Sequence, residues 1–182
     1  MSSTSAPFGL RPVYSPSGVV RPTAYEISAS YATTIYQNQP VKLNDGYLEA
    51  AGAGDRFIGT FQGVEWTDTD GRRRVSNKWS AQSGATQIVA YATLDPSIVY
   101  EIQSDATMDV TTIGGQYDFT AASGNATTGL SSQMLGVSTL ANNAGLRVIG
   151  ITPGPNNAWG DNYVIVQVQV SEHQNVADIA DY

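Results

Sequence analysis

The clearest pattern of hydrophobic and polar positions lies near the C-terminal end of the chain. Residues 163–170 read YVIVQVQV, with valine at every second position. A period of two with β-branched side chains is typical of a strand that buries one face, so we expect the valine face to meet the core. Residues 146–151 predict a second strand, and the Pro-, Gly- and Asn-rich residues 152–162 predict the loop between them. Together they predict a long hairpin that templates the remaining sheet.

Shorter segments of alternating character precede this hairpin, and turn residues separate them. The pair Asp45-Gly46, for example, supplies the positive φ that a tight β turn needs. No window carries a helical period, and roughly nine or ten short strands predict an all-β fold, an antiparallel β-sandwich, jelly roll or barrel. The segments before the hairpin are residues 25–31, 41–43, 47–49, 57–66, 86–94, 98–103, 110–113 and 133–139.

The N-terminal residues differ from the rest of the chain because they hold four of its eight prolines. Each proline fixes φ and biases the residue before it towards extended backbone. We therefore predict an extended N-terminal arm over residues 1–24, a β-rich domain over 25–171 and an acidic tail over 172–182 with one helical turn. The arm is either a disordered tail or a segment that orders on a neighbouring subunit. Apolar residues such as Leu10 and Val19 favour the second interpretation.

Composition and charge exclude several classes of protein. A chain of 182 residues fits one domain, and the absence of cysteine excludes disulfides and thiol chemistry. The net charge is −7 with only nine basic residues, so nucleic acid, whose binding needs a basic surface, is not an expected partner. No apolar run is long enough for a transmembrane helix, and the N-terminus does not read as a secretory signal, so no membrane association is predicted.

Candidate catalytic and metal-binding residues are few. His173 is the single histidine, and its place in the tail predicts a surface or interface residue, not the proton relay of a Ser-His-Asp triad. One histidine without cysteine does not make a typical zinc or transition-metal site. Glu65 and Glu101 are the best-placed acids for a glycosidase, yet acids are also common at half-exposed strand positions. The turn at residues 67–71 lacks the closing glutamate of a calcium loop. We predict no catalytic residue, no cofactor, no metal site and no enzymatic activity.

A C-terminal pattern and two earlier runs of the chain resemble a known family. The pattern is residues 146–150 (LRVIG), 155–163 (PNNAWGDNY) and 166–174 (VQVQVSEHQ). It resembles the C-terminal signature of small virion proteins of tailed bacteriophages, the kind that decorate or cement the capsid. Residues 77–79 (NKW) and 90–103 (AYATLDPSIVYEIQ) are similar to the same family. The resemblance covers most of the chain beyond residue 53 and includes no catalytic motif.

This resemblance implies a structural protein of the virion. Such proteins are made in the host cytoplasm, sit on the outer surface of the mature head and bridge neighbouring major capsid proteins, commonly as homotrimers. The arm suits this role because an extended segment can order on a neighbour across a large surface. We expect removal of residues 1–22 to abolish association and to leave the β fold intact. The residues predicted to contact the partner are Phe8, Arg11, Tyr14 and Arg21 of the arm, and Arg72, Arg73 and Arg74.

Two alternatives stay open at this point. One is a head-fibre or tail component of the virion. The other is a carbohydrate-binding β module, since exposed aromatic rings stack on sugars and the chain holds three tryptophans, Trp66, Trp79 and Trp159. For the run of three arginines, the alternatives are a solvated surface segment and a clamp for an acidic partner surface.

Overall fold

The computed structural model describes residues 4–121 and 123–176, and this part of the chain confirms the all-β prediction. Its only helices are two 3-10 turns, Val110–Thr112 and Val137–Thr139, and neither approaches the length and hydrophobicity of a membrane span. The strands are β1 (Arg11–Tyr14), β2 (Pro22–Glu26), β3 (Ile35–Tyr36), β4 (Pro40–Asn44), β5 (Tyr47–Ala50), β6 (Gly59–Thr67), β7 (Arg73–Ser76), β8 (Lys78–Trp79), β9 (Thr86–Thr93), β10 (Val99–Gln103), β11 (Gln116–Tyr117), β12 (Leu146–Ile151) and β13 (Ile165–Val170).

Five of these strands close a small barrel. β4, β5, β2, β9 and β6 pair in that order, and β6 pairs back with β4, while β7 extends the sheet from β6. Closure joins the two ends of the sheet, which leaves fewer strand edges open to other chains. Every pairing is antiparallel except that of β2 with β5, which consists of one residue pair, Glu26 with Tyr47. The barrel core is formed mainly by Ile27, Ile35, Val41, Leu48, Ile58, Phe61, Val64, Trp79, Ile88, Ala90 and Ala92.

The second sheet is built on the predicted C-terminal hairpin. Its order is β1, β10, β13, β12, β11, with antiparallel pairing throughout. The valine face of β13 is buried as predicted, and the opposite face, from Tyr163 to Gln169, is half-buried. Alternation therefore identified both the strand and the side that meets the core. The core of this sheet includes Leu10, Phe57, Ile98, Tyr100, Ile102, Phe119, Leu135, Leu146, Val148, Val164, Val166 and Val168.

Buried polar contacts join the second sheet to the barrel. The hydroxyl of Tyr100 on β10 lies 2.8 Å from Oγ1 of Thr93 on β9, and the N–H of Thr60 on β6 donates to the same Oγ1 at 2.8 Å. Since all three residues are fully buried, these hydrogen bonds satisfy polar groups that would otherwise be costly to bury. They fix β10 against the barrel wall.

The segment after β13 continues across to the barrel. The N–H of Phe57 donates to the carbonyl of Glu172 at 3.2 Å, and the N–H of Gln174 donates to the carbonyl of Phe57 at 3.1 Å. The side-chain amide of Gln174 binds both the N–H and the C=O of Leu43. We call residues 172–176 the C-terminal strap. These hydrogen bonds attach the first residues of the predicted tail to the barrel, and residues 177–182 with the predicted helical turn lie outside the described residues.

The predicted N-terminal arm is not confirmed as a segment apart from the β-rich domain. β1 pairs with β10 in the same chain, Leu10 is fully buried, and the predicted boundary at residue 24 falls inside β2. The extended backbone that the prolines favour is present, but it forms strands of the sheets. Pro12 lies in the edge strand β1 and Pro22 is the first residue of β2, positions where a missing N–H breaks no hydrogen bond between strands. Deleting residues 1–22 would remove a strand and a core residue, so that deletion cannot separate partner binding from folding.

Two segments predicted as strands each contain a 3-10 turn. Residues 110–113 form one turn, in which the Thr112 hydroxyl donates to the carbonyl of Asp109 at 2.6 Å. Residues 133–139 end in the other, in which the Thr139 hydroxyl donates to the carbonyl of Gly136 at 2.6 Å. Threonine side chains that bond the backbone three residues earlier favour turns over strand pairing, which explains both errors.

Candidate partner-binding surface

Phe8 and Arg11, two of the predicted contact residues, lie together on the second sheet. The guanidinium carbon of Arg11 is 4.6 Å from the centre of the Phe8 ring, and Nη2 of Arg11 is 2.6 Å from Oε2 of Glu101 on β10. Gly9 makes the intervening turn possible, because its φ is 77° and a Cβ there would lie 2.6 Å from the carbonyl oxygen of Asn38. The cation–π contact and the ion pair hold both side chains against their own chain.

Tyr14 lies at the exposed outer edge of the second sheet. It is 47% exposed, and its neighbour Val13 is 41% exposed. A turn over residues 15–18, closed by the Gly18 N–H donating to the Ser15 carbonyl at 2.8 Å, brings the chain to Val19, which is 51% exposed. These three apolar side chains are exposed and close together in the chain, and we take them as a candidate protein-binding surface.

Arg21 lies two residues further along the chain, is exposed and lines a cavity of about 670 Å³. Apolar side chains of Val19, Leu94 and Pro96 line the cavity together with His173 of the C-terminal strap. Arg21 makes no ion pair with any residue in the described parts of the chain. We call Val13, Tyr14, Val19 and Arg21 the edge surface; Tyr14 and Arg21 were predicted contacts, and Val19 was among the apolar residues that favoured a segment ordered on a neighbour.

The three consecutive arginines lie on the hairpin of β6 and β7, where acids of the same hairpin already neutralise them. The guanidinium groups are exposed, so each pair contributes little to stability. Arg73 and the hydroxyl of Tyr91 hydrogen-bond to Glu65 and hold the pKa of its carboxyl below the usual value. Local compensation leaves little positive charge for an acidic partner and favours the solvated interpretation. The ion pairs are Arg72–Asp70 at 3.6 Å, Arg73–Glu65 at 3.0 Å, Arg74–Asp68 at 3.3 Å and Arg74–Asp70 at 3.2 Å.

The tryptophans do not form a flat exposed platform. Trp79 is fully buried, and its Nε1–H donates to the carbonyl of Tyr31 at 3.2 Å. Trp66 packs edge-on against it, with ring centres 6.1 Å apart, and Trp159 packs against the core of the second sheet. A sugar-binding site needs an exposed ring face, which Trp79 cannot provide.

Glu65 and Glu101, the two acids considered for a glycosidase, lie on different sheets. Glu65 on β6 belongs to the barrel and is engaged by Arg73 and Tyr91, whereas Glu101 on β10 belongs to the second sheet and is engaged by Arg11. A glycosidase needs two carboxyl groups that flank one bond. Within residues 4–121 and 123–176, no group of three or more histidine and acidic side chains is placed to hold a metal ion.

His173 is buried, which corrects its prediction as a surface or interface residue. It is only 4% exposed, Nε2 lies 2.9 Å from the carbonyl oxygen of Leu94, and Nδ1 accepts the N–H of Asn175 at 3.1 Å. These contacts require a neutral ring with its proton on Nε2. Neither serine nor aspartate is hydrogen-bonded to the ring, so the described contacts form no catalytic triad.

The stability of the protein is expected to fall as the pH drops below 6.5, because of His173. Burial lowers the pKa of the folded-state imidazole from its ordinary value of 6.5, although Leu94, Ile58 and Asp95 act in the opposite direction. As the pH falls, the unfolded chain therefore takes up a proton on His173 first. The contribution of the neutral, buried His173 to stability is fully present above pH 6.5 and is lost as the pH falls towards the lower folded pKa. Urea unfolding of the wild type and of His173→Gln at pH 7.5, 6.5 and 5.5 measures this. Equal pH dependence in both proteins would contradict the assignment.

A second exposed apolar group lies beside β11 and was not predicted. Leu140 is 62% exposed, and a Cβ placed on Gly115 would lie 3.3 Å from its Cδ1 and 3.1 Å from the carbonyl oxygen of Thr112. Val110 and Ile113, in the segment that contains Thr112 and Gly115, are also exposed. We call Val110, Ile113 and Leu140 the β11 patch. Residues 110–117 and 137–146 contain no charged side chain, and this feature of the sequence could have indicated the patch.

Comparison with known proteins gives no further assignment. No family model, no curated protein and no solved structure matches the chain.

Proposed function

We propose that this protein decorates the outer surface of a tailed-bacteriophage head and stabilises the lattice of major capsid proteins. The observation that carries the proposal is the resemblance of residues 146–174 to virion decoration proteins. Most of that stretch belongs to β12, β13 and the loop between them. The all-β fold and the exposed apolar edge surface support the proposal. The absence of an assembled catalytic group in the described residues leaves binding as the activity that the geometry favours.

The edge surface is the proposed contact with the capsid. Val13, Tyr14 and Val19 supply apolar area, and Arg21 supplies a positive charge without a partner in the described residues. Aromatic and arginine side chains are enriched at binding hot spots. A protein that binds only the expanded lattice stabilises that lattice by the free energy of binding. Because many copies bind one shell, modest contacts at each site suffice.

A pair of matched valine substitutions tests this contact. Val19→Glu is expected to weaken binding to expanded shells by about tenfold or more, because it places a carboxylate in the apolar interface. Val75→Glu makes the same chemical change at a valine that is 79% exposed on β7, outside the edge surface, and is expected to bind as the wild type does. Both are measured by co-sedimentation with shells that lack the protein. Wild-type binding by Val19→Glu would contradict the proposed contact.

The homotrimer that the resemblance implies is proposed to form through the β11 patch. Copies with a net charge of −7 repel one another, and the uncharged loops around Leu140 offer a contact that keeps like charges apart. Leu140→Asp is expected to convert the trimer to a monomer without unfolding it, since the side chain is largely exposed. Light scattering measures the mass of both proteins, and circular dichroism checks the fold. A trimer that survives Leu140→Asp, or a monomeric wild type, would contradict this.

A further inference from the structure

One side of β2 lacks a strand partner over most of its length. Its five residues, Pro22–Glu26, pair continuously with β9 on one side. On the other side, the described residues provide a single pair, Glu26 with Tyr47 of β5. Thr23 and Ala24 are exposed, as expected for residues of a strand that has a continuous neighbour on one side only. Backbone N–H and C=O groups along an open strand edge can pair with an added strand.

Two other free edges, those of β1 and β11, are less suited to an added strand. β1 contains Pro12, which has no N–H, and its pairing is shifted between Pro12 and Tyr14 by a bulge. β11 has two residues, and its neighbouring backbone already bonds to the loop that carries Thr139, whose hydroxyl accepts the Asp118 N–H at 2.7 Å. β2 has a proline only at its first position. Among these edges, β2 is the one without such protection.

Charges of opposite sign stand at the two ends of β2. Arg21 precedes the strand and lines the cavity that also contains Thr23. Glu26 ends the strand and lines a second concavity with Asp45, Tyr25 and Tyr47. Neither acid forms an ion pair with any residue in the described parts of the chain. The distance between the charged ends is set by five residues of strand, roughly 17 Å at 3.4 Å per residue.

We propose that the open edge of β2 binds an extended segment of a partner protein by strand addition. The segment carries an acidic residue opposite Arg21 and a basic residue opposite Glu26 and Asp45. Backbone pairing supplies a contact that is independent of sequence, and the two charges fix the register and the direction of the added strand. The rings of Tyr25 and Tyr47 flank the acidic end, where they can contact the stem and the charge of a lysine or arginine.

The identity of the chain that supplies the segment rests on the proposed function, in which it is the capsid protein. The chemistry of the site does not depend on that function. Three synthetic peptides test it: acetyl-Asp-Thr-Val-Thr-Val-Lys-amide, the same residues with Asp and Lys exchanged, and a neutral form with Gln at both ends. One charged peptide is expected to bind about tenfold more tightly than the neutral peptide. Backbone amide shifts in the full-length protein, measured by NMR, should change at residues 22–26.

Variants of the acidic end provide the control. In Glu26→Gln/Asp45→Asn, the preferred peptide is expected to bind no better than the neutral one. Asp109→Asn removes an acid that is exposed elsewhere and caps no helix with its side chain, so it should leave binding unchanged. No shift change at residues 22–26 with any peptide, or equal binding of all three, would overturn the inference. If the protein binds shells but no peptide, the proposed function stands and the inference is wrong. If it binds the peptide but no shells, the inference stands and the proposed function is wrong.

Discussion

Replacing Gly59 by alanine is expected to destabilise the protein by about 4 kcal/mol or more. Gly59 has a φ of 151°, and a Cβ there would lie 2.2 Å from the carbonyl oxygen and 2.4 Å from Oγ1 of Thr93. The carbonyl belongs to the backbone of β9, and Oγ1 accepts the N–H of Thr60, so neither atom can move without breaking contacts that hold the barrel together. Urea unfolding followed by circular dichroism measures the loss.

Gly46→Ala is the matched control for this substitution. Gly46 also has a positive φ, 86°, but no atom lies within 4 Å of a Cβ placed there. Gly46→Ala therefore places alanine at a positive φ without a steric overlap, and it should lower the free energy of unfolding by about 1 kcal/mol. If the two substitutions lowered the free energy of unfolding by similar amounts, the close approach of β6 to Thr93 would not be the cause of the loss at Gly59.

The second large effect is expected for Phe57→Ala, which should cost about 3–5 kcal/mol. Phe57 is fully buried, and its ring packs edge-on against Phe119 with centres 5.6 Å apart. Its backbone also binds Glu172 and Gln174 of the C-terminal strap, so it lies where the barrel meets the second sheet. Truncation leaves a cavity that these fixed neighbours cannot fill.

Phe57→Leu separates volume from shape at the same site. Leucine restores most of the lost apolar volume, so this variant should be clearly more stable than Phe57→Ala. Both are compared with the wild type by urea unfolding at pH 7.5, where His173 is neutral. A loss below about 1 kcal/mol for Phe57→Ala would contradict the view that this ring is a main part of the core of the second sheet.

Local patterns in the sequence identified those elements whose pairing partner is near in the chain. The valine alternation located β13 and its buried face, and Asp45-Gly46 located the hairpin of β4 and β5. In contrast, β1 pairs with β10, so Arg11 lies opposite Glu101, ninety positions away. No local pattern reports such a partner, and the prolines of the N-terminal segment suggested a separate arm.

The same distinction applies to the candidate site. The sequence indicated Tyr14 and Arg21 through their place in the apolar, proline-rich segment, and both are exposed. The burial of His173 could not be foreseen, because Leu94 and Phe57 contact the strap only through tertiary structure. The sequence alone could have indicated that the three arginines are neutralised, since Asp68 and Asp70 precede them in one hairpin. Spacing across a turn brings such charges together.

The measurement that tests the central claim most directly is the number of copies bound to expanded and to unexpanded shells of the cognate capsid. Purified protein is titrated onto shells that lack it, and bound copies are counted by co-sedimentation against the major capsid protein. The account predicts saturation at a fixed ratio on expanded shells, little binding to unexpanded shells, and a higher temperature of shell disruption once the sites are filled. Absence of saturable binding to expanded shells would contradict the proposed function.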